Sequence, residues 1–131
     1  MSQENVEVVR AAYDAWNAGD MDAFRELYDP EIIVRPPERW PEPGPFVGRD
    51  AVMRQFERLR ETWDADALEP ISDFIDAGDR VVVRVILHGA GFGPEMNLEC
   101  TIVYTVRERR VFYIEYFWNH DDALEATGLS E

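Results

Sequence analysis

The sequence predicts a single α+β domain over residues 1–131, with three helices in the N-terminal half packed on an antiparallel sheet and a short helix at the end. Three observations predict it. Apolar residues in the first half recur at helical spacing, those in the second half alternate, and the alternating runs are joined by Gly- and Asp-containing turns too short for anything but antiparallel neighbours.

Over residues 3–18, Val6, Val9, Tyr13 and Trp16 form one stripe, while Glu4, Glu7, Arg10, Asp14 and Asn17 occupy the opposite side. Ser2 or Asn5 caps the start, and Gly19 ends the helix. Asp20 is the expected N-cap of a second, short helix that buries Phe24, Leu27 and Tyr28 and stops at Asp29-Pro30. Residues 31–35 contain the β-branched run Ile32-Ile33-Val34, which predicts a strand. Residues 36–45 hold five prolines and form a stiff loop, because each proline lacks an N–H and fixes φ. A third helix is expected over residues 49–63, with Val52, Phe56, Leu59 and Trp63 as its stripe.

Residues 68–76 read as a strand and Ala77-Gly78-Asp79 as a turn. In residues 80–88, Val81, Val83, Val85 and Leu87 share one face. Residues 96–107 place Leu98, Cys100, Ile102 and Tyr104 together, and residues 111–119 place Phe112, Ile114, Tyr116 and Trp118 together. A last helix, capped by Asn119 or Asp121, runs to about Thr127 and stops at Gly128. Both faces of these strands are apolar, which a sheet with one solvated face would not require. The side bearing Val82, Ile86, Val103, Tyr113 and Phe117 needs a second cover, most simply a partner sheet, so a homodimer is expected.

Composition limits the chemistry. The net charge of −14 disfavours nucleic acid and anionic membrane surfaces as partners. All 13 basic residues are arginine, which removes Schiff-base catalysis and a phosphate-binding lysine. Cys100 is the only cysteine, and His88 and His120 lack the spacing of a helical metal pair, so neither a metal site nor a cofactor is expected. The N-terminal residues have no basic start followed by an apolar run, and no stretch approaches the ~20 apolar residues of a membrane span, so a cytoplasmic location is expected.

Several local signatures occur in a familiar order. They are Val8-Val9-Arg10-Ala11-Ala12-Tyr13-Asp14-Ala15-Trp16-Asn17-Ala18-Gly19-Asp20-Met21-Asp22, then Tyr28-Asp29-Pro30-Glu31-Ile32-Ile33-Val34, then Phe46-Val47-Gly48-Arg49-Asp50-Ala51-Val52. Asp76-Ala77-Gly78-Asp79-Arg80-Val81-Val82-Val83 and the closing segment 121–129 complete the set. In this order the chain resembles the SnoaL-like branch of the nuclear transport factor 2-like superfamily. The resemblance implies a cone-shaped, strongly curved sheet whose open end admits small, often hydrophobic molecules. It also implies a range of activities among relatives, including isomerases, polyketide cyclases, dehydratases and epoxide hydrolases. Fold alone does not choose among them.

The chain departs from the catalytic patterns of that resemblance. Arg35 stands where ketosteroid isomerase-like members carry a carboxylate base, Ile102 near their oxyanion-hole acid, and Ala12 near their first-helix tyrosine. Tyr116 stands where cyclases carry an inward Asp, and the two-Asp, one-Arg set of the epoxide hydrolases is not matched.

The expected ligand contacts are Tyr13, Trp16, Arg35, Trp40 and Phe56, with Trp63, Tyr104, Tyr116 and Trp118, around a pocket of roughly 300–1,000 Å³. Arg35, if inward, needs a carboxylate or a ligand oxygen; if outward, it pairs at the surface. Trp40 lies in the proline-rich loop as a lid or a dimer-edge residue. The candidate catalytic groups are Arg35, Tyr116, His120 and Asp73, and Cys100 is read as an inert core thiol. The favoured function is binding of a small hydrophobic, carbonyl-bearing molecule. The alternative is a cofactor-free isomerase, cyclase, dehydratase or hydrolase, with Arg35 and a tyrosine stabilising negative charge while His120 or Asp73 moves a proton.

Overall fold

A computed structural model describes residues 2–38, 40, 44–62, 67–90 and 95–128. Its elements are α1 (Ser2–Ala18), α2 (Met21–Glu26), β1 (Tyr28–Arg35), β2 (Phe46–Val47), α3 (Arg49–Thr62) and β3 (Ala67–Pro70). These are followed by β4 (Ile75–Ala77), β5 (Arg80–Ala90), β6 (Glu95–Arg107), β7 (Arg110–Phe117) and α4 (His120–Ala126). One sheet runs β2-β1-β7-β6-β5-β3, and β4 also pairs with β5. The expected α+β class and antiparallel sheet are present, except that β1 and β7 pair in parallel. Local turns cannot produce that pairing, because parallel neighbours need a long connection, here most of the chain.

Local chemistry accounts for the element boundaries. The α1 stripe of Val6, Val9, Tyr13 and Trp16 is buried as its spacing requires. Gly19 turns the corner at φ +75°, a conformation open to a residue without a Cβ, and the Asp20 side chain accepts the Ala23 N–H to cap α2. Asn17 makes two bonds to β3: its Nδ2 donates to the Leu68 carbonyl (3.1 Å) and its Oδ1 accepts the Leu68 N–H (2.8 Å). The helix end therefore supplies the backbone partners that an edge strand lacks.

Three boundaries differ from the sequence reading. β1 begins at Tyr28 and runs through Pro30, which is tolerated because the ladder to β7 is irregular between Tyr28 and Ile33. The strand expected over 68–76 is split after Pro70; there the Ser72 hydroxyl accepts the Arg84 N–H at 3.0 Å in place of a backbone carbonyl. In β7 a bulge opposite Thr105 and Val106 changes the facing: Val111 is fully buried in the main core, while Phe112 lies under the Arg107 guanidinium at 3.7 Å.

The main core lies between the helices and the inward face of the sheet, where Val81, Val83, Val85, Cys100, Ile102 and Ile114 meet α1 and α3. A second, smaller cluster lies on the other face. Val82 and Val103 are buried there beneath Ala123 of α4, with Ile75 and Phe117 packed alongside. The chain thus covers part of its own outer face, at Val82 and Val103, with α4. No helix among the described residues is long and apolar enough to cross a membrane.

Candidate functional site

Between the sheet and the helices is a cavity of about 850 Å³, its opening to solvent included. The centre of a water-sized sphere can move through about 70 Å³ of it. On that second measure one water needs roughly 10–15 Å³, so the space takes several waters or a small organic molecule.

The deep wall is aromatic. Trp16 of α1, Phe24 of α2, Tyr28 of β1 and Phe56 of α3 line it and pack mainly edge to face, with ring centroids 4.7 Å apart for Phe24–Tyr28, 5.3 Å for Trp16–Phe24 and 5.9 Å for Trp16–Phe56. Arg60 steadies Trp16: its guanidinium stacks 4.7 Å from the indole and donates to the Trp16 carbonyl at 2.8 Å. At the opposite end, Pro36, Pro37, Trp40 and Trp118 frame the mouth. Trp118 is 44% exposed, lies 6.4 Å from the Trp40 ring, and donates its indole N–H to the Glu38 carbonyl at 2.7 Å. Trp40 is thereby held against the mouth by the residue that follows β7.

Polar groups on the wall are few, and most are phenol hydroxyls, which both donate and accept. Tyr104 Oη donates to Tyr13 Oη at 2.9 Å. The Tyr28 and Tyr116 hydroxyls have no hydrogen-bond partner among the described residues. The buried Trp16 Nε1–H also has none. Gln55, buried on α3, accepts from Arg58 at 2.8 Å through its Oε1. No Asp, Glu, Arg or His is among the described lining residues.

Every titratable group on this wall is held neutral. Burial pushes the hydroxyls of Tyr13, Tyr28, Tyr104 and Tyr116 above the ordinary tyrosine range. For Tyr104, the nearby Tyr13, Tyr116 and Tyr28 and the bond it donates to Tyr13 add to the rise. Burial also pushes the Cys100 thiol up to about 12, with a smaller contribution from Glu99.

The residues singled out in the sequence separate into two groups. Tyr13, Trp16, Phe56, Tyr104 and Tyr116 line the cavity, with Trp40 and Trp118 at its mouth. Arg35 does not. It is exposed on the opposite side of β1, beside the Tyr113 hydroxyl, because Ile32 and Val34 take the inward positions. His120 is also outside: its Nδ1 lies 3.0 Å from Oγ1 of Thr101, a residue of the outer face. Asp73 is exposed in the segment between β3 and β4. The constellation of Arg35, Tyr116, His120 and Asp73 is therefore not assembled, and only Tyr116 of the four reaches the cavity. Trp63 lies outside the described residues. No cluster of metal-ligating side chains occurs among the described residues.

Sequence reasoning missed Tyr28, Phe24 and Gln55 as wall residues. Signals for them existed: Tyr28 and Phe24 belong to the buried side expected of the second helix, and Gln55 stands three residues after Val52 and four before Leu59, on the same helical face.

Comparison with known proteins agrees with this architecture. A soil-derived mobile gene cassette protein, Bal32a, is 26% identical, with 88% of each chain covered and a TM-score of 0.79. Rv0760c of Mycobacterium tuberculosis, solved in complex with estradiol-17β-hemisuccinate, is 15% identical over 90% of this chain and 95% of its own, with a TM-score of 0.78. TerC, co-crystallised with polyporic acid, is 20% identical over 95% of this chain and 98% of its own, with a TM-score of 0.76. The chain matches no curated protein by sequence. The family described as SnoaL-like domain matches residues 9–114, most of the chain, and the chain belongs to that family.

Proposed function

We propose that this protein binds a small hydrophobic, carbonyl-bearing molecule in the cavity and holds it without moving a proton. The observation that carries the reading is the absence of charge and of a neutral-range titrating group among the described lining residues. A general acid or base works best with a pKa near the operating pH. The cavity offers phenols and one thiol, and burial pushes all of them further from neutrality. Proton-transfer catalysis would need His120 or Asp73 to enter the cavity, and each is turned elsewhere. Two proteins of the same fold were solved with small organic molecules, estradiol-17β-hemisuccinate in Rv0760c and polyporic acid in TerC, which supports a small organic ligand here.

Native mass spectrometry of freshly purified protein tests the reading directly. A co-purified neutral organic molecule, released on denaturation, is the expected result. Conversion of that molecule by the protein, with Tyr116→Phe lowering turnover while leaving affinity unchanged, would refute the non-catalytic part.

We further propose a homodimer through the outer sheet face. Beyond the cover of α4, that face presents Ile33, Ile86 and Tyr113, all partly exposed, beside Val47 at 61% exposure. Sedimentation at micromolar concentration as a single species of 15.2 kDa would remove this proposal.

A further inference from the structure

The polar side chains on the described cavity wall differ in one respect that decides selectivity: whether each is bound to donate or to accept. A phenol hydroxyl rotates and does either, so Tyr28 and Tyr116 do not tell a ligand donor from a ligand acceptor. Trp16 Nε1 only donates, but it is sealed inside the protein and reaches no ligand. Gln55 is different. It lines the cavity from α3 and is only 3% exposed.

One turn further along the helix, Arg58 stands exposed and outside the cavity, and its Nη2 donates to Gln55 Oε1 at 2.8 Å. A guanidinium carries N–H groups and accepts nothing, so the atom that faces it must be the amide oxygen, and the amide nitrogen is turned away. That nitrogen, Nε2, makes no hydrogen bond among the described residues. It is also not one of the sealed unpaired nitrogens, which are Trp16 Nε1 and Arg49 Nε. Its open surface therefore belongs to the cavity that Gln55 lines.

We infer that Arg58, from outside, fixes the sense of polar recognition within: it holds the Gln55 carboxamide with its N–H groups toward the ligand, so the cavity selects an uncharged molecule with a hydrogen-bond acceptor opposite α3. A ligand whose polar group only donates would meet the amide hydrogens. To be accepted it would have to turn the amide round and set those hydrogens against the guanidinium, giving up a charge-assisted bond roughly twice as strong as a neutral one. Gln55 is the group that touches the ligand, and Arg58 is a positioning residue. The inference rests on the binding reading, and the experiment below lets the two fail separately.

The probes are two matched pairs of small neutral ring compounds. Quinoline with naphthalene adds one acceptor at nearly constant shape, and indole with indene adds one N–H donor. Each is titrated into the full chain by NMR. The readout is the affinity ratio within each pair for wild type, Gln55→Leu and Arg58→Leu, each variant first shown to keep the wild-type amide spectrum. Ratios cancel changes in packing that both members of a pair feel. The wild-type ratio should be larger for quinoline than for indole. Gln55→Leu should lower the quinoline ratio about three- to tenfold, the worth of one net hydrogen bond. Arg58→Leu frees the amide to turn its oxygen inward, so the indole ratio should rise about three- to tenfold; a residue that only steadied the helix would leave both ratios alone. In wild type the Gln55 side-chain N–H signals should move further downfield with quinoline than with naphthalene, a readout that needs no variant to fold. A larger wild-type ratio for indole, an unchanged quinoline ratio in Gln55→Leu, an unchanged indole ratio in Arg58→Leu, or N–H signals that move alike with both probes each overturns the inference and leaves the binding reading standing. Failure of all four probes to bind wild type overturns the binding reading, and this inference with it.

Discussion

Replacing Tyr104 by Phe and replacing Tyr116 by Phe each remove one oxygen from the same cavity wall, yet the two should differ sharply in stability. Tyr104 Oη donates to Tyr13 Oη at 2.9 Å, and both residues are almost fully buried. Tyr104→Phe deletes that bond and strands the Tyr13 hydroxyl, a loss of about 1–3 kcal/mol. Tyr116 Oη has no partner among the described residues, so Tyr116→Phe removes nothing paired and should fall within about 0.5 kcal/mol of wild type. For 131 residues, at about 2.1 cal/mol/K each, the unfolding entropy near the midpoint is about 0.28 kcal/mol/K. The melting temperature should therefore drop by about 4–10 °C for Tyr104→Phe and by less than about 2 °C for Tyr116→Phe. Circular dichroism melts, with urea titrations to check that the slope is unchanged, measure both. Equal drops in the two variants would refute the claim that one hydroxyl is committed within the protein and the other is held in reserve.

Other consequences are open to simpler measurements. Trp118→Phe keeps an aromatic ring at the mouth but loses the 2.7 Å bond to the Glu38 carbonyl; ligand association and dissociation should both quicken by about three- to tenfold, with little change in affinity, in stopped-flow traces. Because burial holds the Cys100 thiol near 12 against an ordinary 9.0, its thiolate fraction in the folded protein near neutral pH is about a thousandfold lower than in the unfolded chain. A chromogenic disulfide reagent should accordingly react slowly until urea unfolds the protein, and a fast native reaction would contradict that burial. Stability should also fall in alkali. Cys100 and the four wall tyrosines have folded values above their unfolded ones, so their contribution is fully present below about pH 9 and is lost progressively above it, as the unfolded chain sheds protons that the folded chain retains. Urea midpoints that hold constant from about pH 8 to about pH 11 would contradict this.

Much of the architecture was legible before any coordinates, and the reason is that periodicity is local. Val6, Val9, Tyr13 and Trp16 share a helical face because 3.6 residues make a turn, and Val81, Val83, Val85 and Leu87 share a sheet face because strand side chains alternate. The Asp20 cap, the Gly19 corner and the α4 cap at Asn119 follow from short-range hydrogen bonding in the same way. The same periodicities, read on α1, α3, β6 and β7, named most of the aromatic rings that line the cavity, so the apolar character of the site was readable as well.

What packing alone decided are the positions where local pattern was silent or misleading. Ile32, Ile33 and Val34 are all apolar, so alternation could not say which side Arg35 takes; the pairing of β1 with β7 turned it outward. One extra residue at the β7 bulge exchanged Val111 for Phe112 in the core, because a single-residue slip reverses every facing beyond it. The parallel contact of β1 with β7, the seating of α4 on Val82 and Val103, and the assembly of Tyr13, Tyr28, Tyr104 and Tyr116 on one wall all join residues far apart in the chain. Local rules carry no information about such meetings. They are set by which apolar faces the whole chain buries together, and in this protein those meetings separate an inward cluster of phenols from the charged Arg35, Asp73 and the His120 imidazole.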